Sequence, residues 1–534
     1  MAEGFRGLTE GSLAHAMDRR RTPACDPTST APWRGRAFAL ATVLAVLGAW
    51  QIRSAAALEG AANVPPNAAP YPRAPAKSVL QPAGLPPSPA QHFAHVVESD
   101  ALTAEASGAQ QAYFQTDTNE GLTLPDLHER LKKVEANQGK ASAADSKKKQ
   151  GFDHNIFGRI QADSATFSQD PANKRQLGDI PNGVDFRRVR MGIQGKGYDV
   201  WSYRLEVDFV QADAQTKQRP RITDCYGELH ELPWLGTLRL GQFREPFSIE
   251  RITSANDLTF IERGLPQAFN PARKLGGMFY DHSQNEQWYW WNGIFAQNST
   301  DFGEQFGNAG RYAVVNRLVW LPWYDLPSGG RYLWQLGAAY TYQRVADQTR
   351  KFSSTPEVSM QFNANSVIPS FVNTGNILMN DYQISHVETS AVFGSLSFQA
   401  EYYGTFVNQV AGPQIFLHGA YAYVSYFLTG ENRVYDRNQG LYVATKPYSD
   451  FFRVRGNRGV AMGPGAWEVA ARVSTLNLSD RNIQGGQLTD LTFGVNWYLN
   501  FQTKLMFNYI HAFLNQQNTA SNADVLVTRA QVVW

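Results

Sequence analysis

The stretch that most restricts what this chain can become is Leu491 to Leu499, LTFGVNWYL. Successive side chains of a strand point to opposite faces. Leu491, Phe493, Val495, Trp497 and Leu499 therefore share one wholly apolar face, and Thr492, Gly494, Asn496 and Tyr498 share a polar one. Ala466 to Ser474 repeats the pattern, with Trp467, Val469, Ala471 and Val473 opposing Glu468, Ala470, Arg472 and Ser474. Trp201, Tyr203, Leu205, Val207 and Phe209 oppose Ser202, Arg204, Glu206 and Asp208 in the same way. Two folds accommodate such strands. A soluble sandwich turns the charged face outward, whereas an outer-membrane barrel turns it into a watery lumen and gives the apolar face to lipid. Near the end of the chain Leu526, Thr528, Ala530, Val532 and Trp534 share a face. A last strand closing on an aromatic is what barrels present to their assembly machinery.

Composition narrows the choice. The longest apolar run, Ala37 to Ala49, is 13 residues, short of the roughly 20 that a spanning helix needs. A closed barrel satisfies its backbone internally without such helices. Aromatic residues make up 13% of the chain, which suits interfacial girdles as well as a large sandwich. Residues 1–57 carry seven arginines against four acids; removing that +3 from the chain's net +2 leaves −1. No global basic field for nucleic acid remains. Cys25 falls in the segment expected to be removed, which leaves Cys225 with no disulfide partner and no zinc site to join.

The chain divides into four parts. Residues 1–57 have the order of a secretory signal: arginines 19, 20, 21, 34 and 36, then the apolar run, then Ser54-Ala55-Ala56-Ala57. Residues 58–119 form an Ala- and Pro-rich segment with nine prolines between Pro65 and Pro89, expected to be a disordered periplasmic tether. Leu124, Leu127, Leu131 and Val134, within 120–138, mark a short amphipathic helix, which either trimerises as a coiled coil or forms only transiently. From 151 to 534 sixteen strand-like segments follow. They begin near Asn155, Asp185, Asp199, Arg221, Gly236, Arg273, Gln287, Gly310, Gly330, Asp381, Gly394, Phe416, Gly465, Gln487, Asn500 and Ala523. The fold class expected is all-β, a 16-stranded antiparallel transmembrane barrel.

FRRVRMG (186–192), GQFREPFSIERITSANDLTFIER (241–263), FLTGENRVY (427–435), GAWEVAARVS (465–474) and LTFGVNWYLN (491–500) follow one another in a familiar order. Over roughly Gly151 to Trp534 the chain resembles the phosphate-selective porins of the O and P type. The resemblance implies a trimeric 16-stranded barrel, a loop after the fifth strand folded into the lumen, and arginines that constrict the pore and bind anions.

Alternation directs Arg188, Arg190, Arg204 and Arg472 inward, and a planar guanidinium fork matches phosphate oxygens. The other reading of the same arginines is charge balance across the wall with Glu206, Asp208 and Glu468. The second candidate is Phe247 to Lys274, after the fifth strand and extracellular by parity. It holds Arg251, Arg263, Arg273 and Lys274 against Glu250, Asp257 and Glu262, a net of +1. Arg433, Arg437, Lys446, Arg453, Arg455 and Arg458 lie between strands twelve and thirteen, on the periplasmic side by parity. Long excursions are unusual there, so either this stretch is a plug or receptor surface, or the strand count slips by one.

No HExxH, HxxxH, GxSxG or phosphate-cradling glycine loop occurs, and no metal or cofactor is expected. The leading expectation is a passive outer-membrane pore with anion preference. Its alternatives are a general or sugar-type pore and a scaffold barrel anchoring the envelope. Outer-membrane lipid, a small anionic solute, two further copies of the chain and the barrel-assembly machinery are the expected partners.

Overall fold

A computed structural model describes residues 151–210, 220–297, 310–363, 366–456 and 459–534 of the chain. The expected signal, tether and helical seam, all before 151, lie outside the described residues.

Where residues alternate, the backbone extends, and each of the sixteen expected starts meets a strand within four residues. In order the barrel strands are β1 (Phe152–Gln169), β2 (Gly183–Gly197), β3 (Trp201–Asp208), β4 (Arg221–Leu232), β5 (Gly236–Arg244) and β6 (Arg273–His282). Then come β7 (Trp288–Ala296), β8 (Tyr312–Tyr324), β9 (Tyr332–Arg350), β10 (Ile377–Phe393) and β11 (Leu396–Gln409). β12 (Ile415–Phe427), β13 (Ala466–Asp480), β14 (Ile483–Tyr498), β15 (Thr503–Gln516) and β16 (Thr519–Val533) complete the set. All neighbours pair antiparallel, and β1 pairs with β16, so the sheet closes. Among the described residues no helix is long and apolar enough to cross a membrane; the strands are the crossing elements.

Closure decides which sense the alternation takes. Phe493 and Val473 are exposed on the outer wall, whereas Thr492, Asn496, Glu468 and Arg472 are buried inside. Apolar residues face out and charges face in, the reverse of a soluble sandwich. Arg273 and Lys274, expected at the end of a loop, are the first residues of β6.

One end of the barrel carries short connections, 198–200, 233–235, 394–395 and 499–502, together with the ends of β1 and β16. Short turns mark the periplasmic end. The connection 428–465 lies at that same end. Arg331 bonds Tyr448 and, at 3.1 Å, the Gly430 carbonyl, while Phe451 N–H donates to the Leu499 carbonyl at 2.6 Å. The strand count therefore stands, and the basic stretch is a long periplasmic excursion.

Among the described residues three connections turn inward, and each needs partners because a buried backbone without hydrogen bonds is costly. In 245–272, after β5, Ser248 Oγ accepts from Arg251 N–H and caps a short helix, Ile249–Ile252. The wall supplies the rest. Glu388 accepts from Ile249 N–H at 2.8 Å and Glu401 from Glu250 N–H at 2.9 Å. Asn496 donates to the Thr259 carbonyl at 2.7 Å, Lys504 to Leu258 at 3.0 Å and Arg529 to Ile261 at 2.6 Å. The loop thus crosses the lumen from β5 to β10 and β11 on one side and β14 to β16 on the other. In 351–376, after β9, Glu357 N–H donates to Asp490 at 2.9 Å. From the periplasmic end, Arg433 of 428–465 reaches up to Gln399 at 3.1 Å and lies 3.7 Å over the Tyr442 ring.

Candidate anion pathway

Two linked chambers occupy the lumen below the β5–β6 loop, of about 370 and 350 Å³. Arg159, Arg204 and Asp257 line both. A third space of about 230 Å³ opens above the loop, beside Arg187, Arg188, Arg251 and Arg263.

Every inward arginine expected on the wall is there, and each has an acid. Glu206 gathers three guanidinium groups: Arg159 at 2.9 Å, Arg190 at 3.0 Å and Arg204 at 2.9 Å. Arg190 also holds Asp208 at 2.7 Å. Arg273 grips Asp224 through two bonds, at 2.8 and 3.1 Å, and Lys274 pairs with Glu245 at 2.7 Å. These pairings follow the wall-balance reading, but two arginines take partners the alternation does not point to. Arg472 is not paired with Glu468. It binds Glu357 of the β9–β10 loop, and Glu250 at 3.2 Å, while Glu468 accepts from Asn496 and Tyr498. Arg188 binds Gln161 at 2.8 Å and Glu262 at 3.4 Å.

Glu262 is the loop's own anchor. Arg187 at 2.9 Å and Arg529 at 2.8 Å complete its shell with Arg188, and Arg529 also pairs with Asp163 at 2.7 Å. Burial opposes its charge, yet these guanidinium groups hold Glu262 well below the ordinary carboxylate range. Two consecutive arginines reach one carboxylate because β2 carries a bulge: Gln161 pairs with Arg188 and Ala162 with Phe186, leaving Arg187 as the extra residue.

A different set lies along the loop. Arg244 donates to the carbonyls of Arg251 and Thr253, and Arg263 to those of Glu250, Arg251 and Thr253. Arg251 Nε has no hydrogen-bond partner. None of these three forms an ion pair with an acid among the described residues. Burial, with repulsion from Arg263 and Arg273, lowers Arg251 to about 9. Facing them are two acids held unusually neutral. Burial pushes Glu250 up to about 7 against the pull of Arg472. Burial also pushes Asp257 up to about 6 against Lys504, Arg159 and Arg433.

His386, Glu388 and Glu401 are close enough together to share an ion. Their oxygens are engaged otherwise: Glu388 accepts from Arg317, Gln335 and Ile249 N–H, and Glu401 from His386, Tyr403, Tyr421 and Glu250 N–H. The cluster is a socket for the loop.

Comparison with known proteins places this architecture. The family model described as phosphate-selective porin O and P matches residues 155–534. The chain belongs to the phosphate-selective porin O and P family. This outer-membrane porin is 24% identical over 421 residues to Porin O of Pseudomonas aeruginosa, covering 72% of the chain and 89% of that protein. It is 26% identical over 337 residues to an uncharacterised protein of Caulobacter vibrioides, covering 61% of the chain and 62% of that protein. The anion-selective porin from Comamonas acidovorans is similar at 13% identity and a TM-score of 0.43, covering 72% of this chain and 100% of that one.

Arg159 and Arg244 were not among the expected residues. Arg159 shares the inward face of β1 with Gln161 and Asp163, so alternation carried that signal. Arg187 had none, since a bulge is invisible to a period of two.

Proposed function

We propose that this porin is a passive channel preferring small oxyanions, phosphate or oligophosphate first among them. The supporting observation is the group of guanidinium side chains at Arg244, Arg251 and Arg263, none of which forms an ion pair with an acid among the described residues. A pore sorts solutes by the charge and width of its lining. An arginine already holding a carboxylate has little field left for a passing ion; one bonded only to carbonyls keeps its charge. Phosphate oxygens match the planar fork of such a group. No catalytic step is part of this reading. The working form is a homotrimer in lipid, inserted through its last strand.

Asp257, with no hydrogen bond to Lys504, Arg159 or Arg433, favours a second reading: a general pore in which the acid offsets the cations. The two separate in reconstituted channels. An anion-side reversal potential in a salt gradient, with block of chloride current by inorganic phosphate, supports the first. Cation preference, or phosphate without effect, would eliminate it.

A further inference from the structure

The periplasmic excursion splits in two. Its first half enters the lumen through Arg433 and Tyr442, but its second half turns the other way. Phe452–Gly456 and Gly459–Gly463 pair as an antiparallel hairpin outside the barrel sheet. The root of this hairpin rests on the outer wall. The Phe451 ring meets the Trp497 ring edge-on at 4.5 Å, and Trp497 stacks on Trp467 at 4.8 Å. Trp497 Nε1 donates to the Pro464 carbonyl at 2.9 Å. Trp467 and Trp497 lie on the lipid-facing side of β13 and β14, in line with Val473 and Phe493.

The hairpin shows water what a soluble surface avoids. Phe451 is 40% exposed, Phe452 53%, Val460 53% and Met462 74%. Phe452 is held at φ 66°, a region that bulky side chains rarely occupy, with its ring 6.0 Å from that of Phe451. In the sequence, residues 451–463 contain Arg453, Arg455 and Arg458 and no acid. Large apolar side chains at the level of an aromatic girdle, in a segment whose sequence is basic, form the pattern of an interfacial membrane element.

We infer that residues 451–463 are a lipid-binding hairpin that lies in the periplasmic face of the outer membrane and takes acidic phospholipid headgroups. Continuity with the Trp467–Trp497 girdle places the hairpin beside lipid, and its charge selects an anionic partner. Phe451, Phe452, Val460 and Met462 enter the headgroup boundary, and the positive charge of the segment draws lipid phosphate. This element is separate from the pore, and conduction does not depend on it.

The test uses the whole processed protein in vesicles of phosphatidylcholine with or without phosphatidylglycerol. A single environment-sensitive dye is placed at Met462→Cys in a Cys225→Ser background, and its quenching by neutral acrylamide is read. The expected result is strong shielding in phosphatidylglycerol vesicles, weakening by roughly fivefold for each arginine replaced among Arg453→Gln, Arg455→Gln and Arg458→Gln. Native mass spectrometry should find phosphatidylglycerol retained over phosphatidylethanolamine, and lost in the triple variant. Conductance should stay at the wild-type level in all variants, which certifies a folded barrel. Equal quenching in both kinds of vesicle, or equal retention of both lipids, overturns the proposal. So does a soluble periplasmic protein that shields the dye in the absence of acidic lipid. If the triple variant fails to insert, the wild-type protein in the two lipid mixtures decides alone.

Discussion

Arg472 on β13 and Arg251 in the β5–β6 loop face the same lumen and have opposite fates. Arg472 is enclosed: it binds Glu357 and Glu250 and lies 4.2 Å over the Phe260 ring. Arg251 has a bare Nε and cationic neighbours. The difference lies in where each one sits. A wall arginine is fixed by sheet register, so acids elsewhere can be placed to meet it, and it becomes part of the fold. Arg251, inside the lumen loop, forms no ion pair among the described residues, and its neighbour Arg263 is oriented by loop carbonyls rather than by an acid. An inward arginine is not by itself an arginine free of acids.

The contrast can be broken at its strong end first. Arg472→Ala should leave Glu357 without its cation and push Glu250 further toward its neutral form, and loss of one partner of a buried pair costs about 3–5 kcal/mol. The expected outcome is a barrel whose heat-modifiable gel migration shifts at a clearly lower temperature. A variant as heat-resistant as wild type would show that the pair is not structural. Next, Arg244→Gln with Arg251→Gln should leave heat resistance unchanged and lower the anion-to-cation permeability ratio about tenfold. Each charge at about 4 Å is worth between roughly 1 and 4 kcal/mol, according to how far water is excluded. Unchanged reversal potentials would put the two classes of arginine on one footing.

Titration sharpens the same comparison. Asp257 and Glu250 sit above the ordinary carboxylate value, so they are neutral below about pH 6 and negative above about pH 7. Anion preference should therefore fall as pH rises from about 5 to about 8. Arginine keeps its proton across this range, so no second step follows. Asp257→Asn should raise anion preference about threefold at neutral pH and flatten the fall; reversal potentials across the pH series check both. The smallest effect is expected from Arg188→Gln. Arg187 and Arg529 still hold Glu262, so selectivity should move by less than about twofold. A larger shift would return Arg188 to the pathway.

Much of this was legible in the residues themselves. Leu491 to Leu499 and Ala466 to Ser474 each specify a strand and the face it buries, because a period of two carries both. Gly-rich and polar breaks place the strand starts within a few residues. What alternation cannot carry is who sits opposite. Glu357 is 115 positions from Arg472, in a loop with no periodicity, and nothing local shows that it docks there. The basic residues from Arg433 to Arg458 were equally opaque. One net-basic stretch covers a segment that enters the lumen and a hairpin that leaves it, and only contact with Tyr442 or with Trp497 tells the halves apart.

Arg529, near the end of the chain, bonds at once to Asp163 in the first strand and to Glu262 in the lumen loop. The two contacts with Arg529 span 366 and 267 residues of chain. Contacts this distant form late, because the intervening chain must be gathered first. Until β16 arrives, Glu262 lacks one of its three cations and the seam lacks its ion pair. A partly assembled chain therefore has neither a closed wall nor a finished strait. Sealing the cylinder and fastening its inner loop are one event, joined through a single guanidinium.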